Sequence, residues 1–197
     1  MFKRIGILGG TFDPPHLGHL VLAEELAEEL KLDRVLFIPS AVPPHKDISE
    51  VSSAKHRFEM TKRAIKGNKL FSVSDIELKR KGPSYTVDTI RELKQIYPQS
   101  ELFFLTGSDI LEEILKWKDP QEICRQIKIV IGLRPGFDKI DPANQFAHKS
   151  QIIEITSLNI SSTLIREKIK KGKSVKYLVP SEVLDYIKNN KLYCNPD

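Results

Sequence analysis

The stretch Ile5-Gly6-Ile7-Leu8-Gly9-Gly10-Thr11-Phe12-Asp13-Pro14-Pro15-His16-Leu17-Gly18-His19 decides how the rest of the chain is read. Ile5 to Leu8 is a short apolar run and predicts a buried strand. Leu20 to Leu30 predicts a helix: Leu22, Leu26 and Leu30 recur every fourth residue, with Ala23 and Ala27 beside them, so one face is apolar. Between the two lies a glycine-rich turn that runs into the helix start. Backbone can approach a ligand closely where no side chain stands, and the first N–H groups of a helix lack partners, so such a junction suits an anion. His16 and His19, three residues apart, project near that helix start on one face. Taken singly, the glycines are compatible with a plain turn, and the histidines with a metal pair or two surface residues. Their conjunction with the rigid Asp13-Pro14-Pro15 is much harder to obtain by chance.

A chain of 197 residues, 40% of them hydrophobic, can bury the core of one domain. It has no run of roughly 18 apolar residues, so no membrane span is expected. The N-terminus enters a strand directly, without a secretory pattern, and Cys124 and Cys194 share no metal-like or redox spacing. Both features point to a reducing cytoplasm. The net charge of +5 favours anionic partners, nucleotides among them. The short basic clusters Lys79-Arg80-Lys81 and Lys168, Lys170, Lys171, Lys173 read as solvated surface, and no basic strand interleaved with aromatics argues for nucleic acid. A homo-oligomer stays open.

Further strands are predicted at Arg34 to Pro39, Leu70 to Leu78, Glu101 to Leu105, Lys128 to Leu133 and Gln151 to Ile155, and helices at Ser53 to Ile65, Tyr85 to Ile96 and about Ile110 to Leu115. In the helix after Ser84, a plausible N-cap, Val87, Ile90, Leu93 and Ile96 should face inward. A helix from about Ile160 to Gly172 and another from Ser181 to Asn190 make a small helical C-terminal part, about residues 160–197. Strands that alternate with helices predict an α/β fold: a Rossmann-like, doubly wound parallel sheet with helices on both faces, in a single domain over 1–197. Asp138 to Lys149 is polar and reads as a surface excursion.

In such sheets ligands sit at the carboxyl ends of the strands. Lys46, in the Pro43-Pro44-His45-Lys46 loop, is either a phosphate contact or a solvent lysine. Tyr85 and Thr86 would lie in a helix's first turn, able either to hold an anionic group or simply to follow a cap. Gly107 and Asp109 follow a strand, where a small loop and an acid commonly meet a ribose. Trp117 is a core plug or a ring that stacks on a flat base. Ser161, Ser162 and Thr163 open a helix, and Arg166 stands four residues after Ser162; they read as a capped helix with a surface arginine or as a clamp for phosphate oxygens. Gly172-Lys173-Ser174 is not a P-loop, because Glu167 stands where the first glycine is required. Gly9-Gly10 lacks the Gly-x-Gly-x-x-Gly spacing of dinucleotide-binding turns. A zinc site on His16 and His19 would need a further Cys, His or acid nearby; Asp13 is close, but an Asp-Pro-Pro turn explains it more simply.

The opening segment resembles the first signature of the nucleotidylyltransferase superfamily, His-x-Gly-His in a Gly-x-Phe-x-Pro-x-His frame. Ile160-Ser161-Ser162-Thr163-Leu164-Ile165-Arg166 matches its second. The Pro-Pro-His-Lys loop, Ser84-Tyr85-Thr86, Gly107-Ser108-Asp109, Trp117 and Arg134-Pro135-Gly136 together look like the bacterial nicotinate-nucleotide adenylyltransferases, whereas pantetheine-phosphate enzymes carry Thr at the place of His16. The resemblance implies transfer of AMP from ATP to nicotinate mononucleotide with release of pyrophosphate, as a step of NAD biosynthesis. It implies His16, His19 and Arg166 as catalytic residues. Gly9, Gly10, Thr11, Phe12, Gly18, Gly107, Asp109, Ile160, Ser161, Ser162 and Thr163 would bind ATP, and Lys46, Tyr85, Thr86, Trp117 and Arg134 the acceptor. Magnesium would come with ATP, held by phosphate oxygens and water rather than by a carboxylate cage. A site for nicotinate should offer donors and no facing carboxylate. Another adenylyl- or cytidylyltransferase branch and a non-catalytic nucleotide sensor are the alternatives.

Overall fold

A computed structural model describes residues 2–44, 47–108, 113–133, 146, 149–156 and 158–194. The apolar runs become β1 (Arg4–Gly10), β2 (Arg34–Pro39), β3 (Phe71–Val73), β4 (Glu101–Gly107), β5 (Lys128–Leu133) and β6 (Gln151–Glu154). They form one sheet in the order β3-β2-β1-β4-β5-β6, with every neighbouring pair parallel. Parallel strands need crossover connections and cover on both faces. The helices α1 (Leu17–Glu29), α2 (Ala54–Ala64), α3 (Ile76–Lys79), α4 (Thr86–Ile96) and α5 (Pro120–Gln126) lie between the strands in the chain; α6 (Ser162–Lys170) and α7 (Ser181–Asn189) follow.

Strand periodicity divides the core. Ile5 and Ile7 of β1 pack with Leu36, Phe104 and Ile129 against Val87, Ile90 and Leu93 of α4 and Ile123 of α5. Leu8 faces the other way, with Phe37, Phe103 and Val130, against Leu22, Ala23, Leu26 and Ala27 of α1. The apolar stripe read in the first helix is therefore buried as expected. A third cluster joins Met60 and Ala64 of α2 to Ile165, Val175, Val179, Val183 and Ile187, and so packs the C-terminal helices onto α2. Gly172, at φ +65, ends α6 in a conformation that a side chain would strain.

Several expectations change. The strand read over Leu70 to Leu78 stops at Val73, and Ile76–Lys79 is a helical turn with Ile76 and Glu77 buried. Ile96 is 54% exposed rather than inward: steps of three residues drift around a helix of 3.6 residues per turn, so the series from Val87 has left the buried face by Ile96. The short α5 was not read at all. Phe146, within the supposed surface excursion, is buried in the first core cluster. Of the helix predicted near Ile110 to Leu115, residues 110–112 lie outside the described residues, Glu113 is helical and Ile114–Lys116 forms a 3₁₀ turn.

The strand order reverses between β1 and β4. Loops leaving the carboxyl ends there part to opposite faces of the sheet and open a crevice.

Candidate active site

Gly9 and Gly10 are not the turn itself. They extend β1 and pair with Ile38 and Pro39 of β2. The turn starts at Thr11, and positive φ falls on Phe12 (φ 51). Phe12, expected among the ATP-binding residues, has its side chain 2% exposed. Its ring meets His19 edge-on at 5.1 Å and lies tilted on Phe37 at 5.8 Å, so it supports a histidine from the core. His16 is extended just before α1 (φ -141, ψ 171) and 4% exposed. The two histidine rings stack, with centroids 3.7 Å apart and planes at 27°.

The backbone N–H of His16 donates to Nδ1 of His19 at 3.1 Å. A nitrogen that accepts a hydrogen bond carries no proton, so neutral His19 keeps its proton on Nε2 and offers a donor there. Gly18 makes room for this pair: a Cβ at that position would stand 3.1 Å from Nδ1 of His16.

These residues open onto a cleft of about 480 Å³. From the expected ATP set, Gly9, Gly10, Thr11, Gly18, Gly107, Ile160, Ser161, Ser162 and Thr163 line it, together with His16 and His19. From the expected acceptor set, Tyr85, Thr86 and Trp117 line it. Asp109, Lys46 and Arg134 lie outside the described residues.

Ser161 caps α6, its Oγ accepting from the Leu164 N–H at 3.1 Å. The other polar groups of that segment reach back to the opening turn: Ser162 Oγ donates to the Pro14 carbonyl (2.8 Å) and Arg166 Nη1 to the Asp13 carbonyl (2.9 Å). Arg166 therefore lines a second cavity, of about 260 Å³, with Asp13, Asp47, Glu50 and Val51; Thr11 and Thr163 line both cavities.

Ser84 is not the cap of α4. Tyr85 takes that position without a side-chain bond, and Thr86 is the first helical residue. The Ser84 hydroxyl instead accepts from the Ala41 N–H at 2.9 Å, tying α4 to the loop after β2. Trp117 lines the cleft, and its ring stands edge-on to Phe104 at 5.7 Å, against the core. Lys118 sits over the Tyr85 ring at 4.7 Å and pairs with Asp88 at 3.3 Å.

Two carboxylates line the cleft, contrary to expectation: the exposed Glu113 and the buried Glu77. Glu77 is 7% exposed, and burial pushes its pKa up, while hydroxyls of Thr89 and Ser84 oppose the shift. Thr89 Oγ1 donates to its Oε1 at 2.7 Å.

Two further side chains escaped the sequence reading. Asp13, which looked like part of a turn, is 2% exposed; its Oδ1 accepts from the Tyr193 hydroxyl (2.6 Å) and its Oδ2 from the Ser52 N–H (3.1 Å). Arg57 is 1% exposed inside α2. The signal for Arg57 was present, since it falls on the same helical stripe as Met60, Thr61 and Ala64. Among the described residues no three His, Cys, Asp or Glu side chains are grouped so as to hold a metal ion.

A doubly wound parallel sheet, with stacked histidines and a serine-rich helix start at its switch point, defines a nucleotide-handling α/β protein. The family model described as cytidylyltransferase-like matches residues 7–168, and the chain belongs to that family. It is 46% identical to the probable nicotinate-nucleotide adenylyltransferase of Desulfitobacterium hafniense (strain Y51), covering 97% of this chain and 96% of the relative. It is 41% identical to the nicotinate-nucleotide adenylyltransferase of Bacillus subtilis (strain 168), over 97% and 98%. Among solved structures, the nicotinic acid mononucleotide adenylyltransferase of Plasmodium falciparum complexed with NaAD superposes with a TM-score of 0.81 at 22% identity, over 97% of each chain. At that identity the likeness shows the shared fold.

Proposed function

We propose that this protein transfers AMP from ATP to nicotinate mononucleotide, giving nicotinate adenine dinucleotide and pyrophosphate in NAD biosynthesis. The observation that carries this reading is the two-ended cleft. One end offers His19 and the start of α6 to phosphates; the other offers Tyr85, Thr86 and Trp117 to a small ring with an anionic substituent. The near full-length relatives support the same activity.

In the reaction a phosphate oxygen of the mononucleotide attacks the α-phosphorus of ATP, and the bond from that phosphorus to the bridging oxygen of the β-phosphate breaks. The nucleophile is already an anion, so no general base is required and no proton need move. The protein's work is alignment and stabilisation of charge on the five-coordinate phosphorus. His19, with Nδ1 occupied by its backbone bond, presents Nε2–H to the α-phosphate oxygens. His16 stacks behind it and Thr11 stands beside it. Ser162, Thr163 and Arg166 are assigned to the departing β- and γ-phosphates: Ser162 and Thr163 line the cleft, and Arg166 lines the adjoining cavity, which Asp13, Asp47 and Glu50 share. ATP enters as its magnesium complex, whose ligands are mainly phosphate oxygens and water.

On the acceptor side, the first N–H groups of α4 and the positive end of its dipole meet the nicotinate carboxylate, with Trp117 against the ring. Bonds from Ser162 and Arg166 to the opening turn support reading 1–197 as one catalytic domain. The test is direct: ATP and nicotinate mononucleotide should give equimolar pyrophosphate and dinucleotide. Turnover with a different acceptor or triphosphate, and none with this pair, would overturn the assignment.

A further inference from the structure

The ladder between β1 and β2 ends at Gly10 and Pro39, with one last bond from the Ser40 N–H to the Gly10 carbonyl at 2.9 Å. Beyond it the two loops diverge, one toward the phosphate end of the cleft and one toward the acceptor end. One buried side chain bonds to both. The buried guanidinium of Arg57 donates from Nε to the Ser52 carbonyl (2.8 Å), from Nη1 to the Thr11 carbonyl (2.9 Å) and from Nη2 to the Ala41 carbonyl (3.0 Å). Thr11 lines the phosphate end. Ala41 is bonded through its own N–H to Ser84, beside Tyr85 and Thr86 at the acceptor end.

Burying a guanidinium is costly, and an apolar residue on the Met60–Ala64 stripe would fill the space with no charge to desolvate. What the guanidinium adds is a rigid planar fork that fixes three carbonyls at set distances. Asp13 lies close enough to favour its charge and is itself fixed by Tyr193 and Ser52.

We infer that Arg57 is a positioning residue that sets the separation of the ATP-side turn from the acceptor-side loop, and so aligns the attacking phosphate with the α-phosphorus. The inference rests on the two-substrate reading of the cleft. Arg57 does not line that cleft, so each substrate alone still finds its own half of the site. Their mutual geometry is what changes, and a misplacement of about 1 Å costs on the order of a hundredfold in rate.

Wild-type protein is first assayed with ATP and nicotinate mononucleotide; an inactive wild type would sink the adenylyl-transfer reading and this inference with it. Arg57→Lys and Arg57→Gln are then compared per folded molecule, with folding checked by circular dichroism. The expected result is a fall in kcat of about a hundredfold. The dissociation constants of ATP alone and of nicotinate mononucleotide alone, measured by calorimetry, should move by no more than about threefold, which is the split expected of an interaction used in the transition state. With an active wild type, three results overturn the Arg57 role alone: an unchanged kcat, binding lost in step with rate, or failure of both variants to fold, which would make Arg57 a stability residue only.

Discussion

The role proposed for His19 needs one tautomer, and a backbone bond selects it. The His16 N–H holds Nδ1 as an acceptor, Phe12 supports the ring from below, and Gly18 leaves space for the stack. Replacing His19 by Ala should lower turnover by at least about a hundredfold with a smaller effect on ATP affinity, the pattern of a donor used chiefly in the transition state. Steady-state kinetics beside ATP titration reads both; near-normal turnover would remove His19 from the mechanism. Glu77 makes a prediction of a different kind. Burial raises its pKa above the ordinary 4.5, so the stability contributed by its protonated form is present below that pH and is lost as pH rises through the raised value. Glu77→Gln cannot ionise. Its stability relative to wild type should therefore improve as pH rises from 4.5 to the raised value and level off above it, as read from urea midpoints across pH; a difference constant with pH would mean that the carboxyl titrates alike in both states. The histidines were legible because spacing and neighbouring glycines mark them. Arg57, Asp13 and Glu77 were not, since their roles depend on partners that only folding brings close, such as Tyr193 opposite Asp13.

Among the elements, the long apolar strands β1, β2, β4 and β5 were readable because burial on both faces requires continuous hydrophobic runs. The short ones were not. Four residues of α3 complete one turn and carry no helical period, so Ile76 and Leu78 looked like strand alternation. The seven-residue α5 had its signal in Pro120 at the first helical position after Asp119. The C-terminal segment shows how an element acts at a distance. Beyond α7, Tyr193 returns to the opening turn and donates to Asp13, and burial together with that carboxylate drives its phenol pKa upward. Tyr193→Phe removes a buried bond to a charged group and should cost about 1.5–3 kcal/mol in urea unfolding. An unchanged midpoint would show that the segment is not fastened there.

At the scale of the molecule, the reversal of strand order beside β1 decides where substrates meet. Loops from β1, β2 and β4 and the start of α6 surround one cleft, and the chain's two ends are joined across it. The location of the cleft was legible, because a glycine-rich strand end followed by a helix start marks one of its walls. The acceptor side was less so: the sequence suggested Ser84 as a helix cap, whereas the fold uses it to bind the neighbouring loop. The central claim is that this cleft joins AMP to the acid form of the pyridine mononucleotide. The start of α4 and the positive end of its dipole favour a carboxylate, and an amide would lose charge-assisted bonds and turn its own NH₂ toward donors. The measurement that tests this most directly is kcat/KM for nicotinate mononucleotide and nicotinamide mononucleotide, side by side with ATP. The account predicts a preference for the nicotinate form on the order of a hundredfold or more; equal use of the two would contradict it.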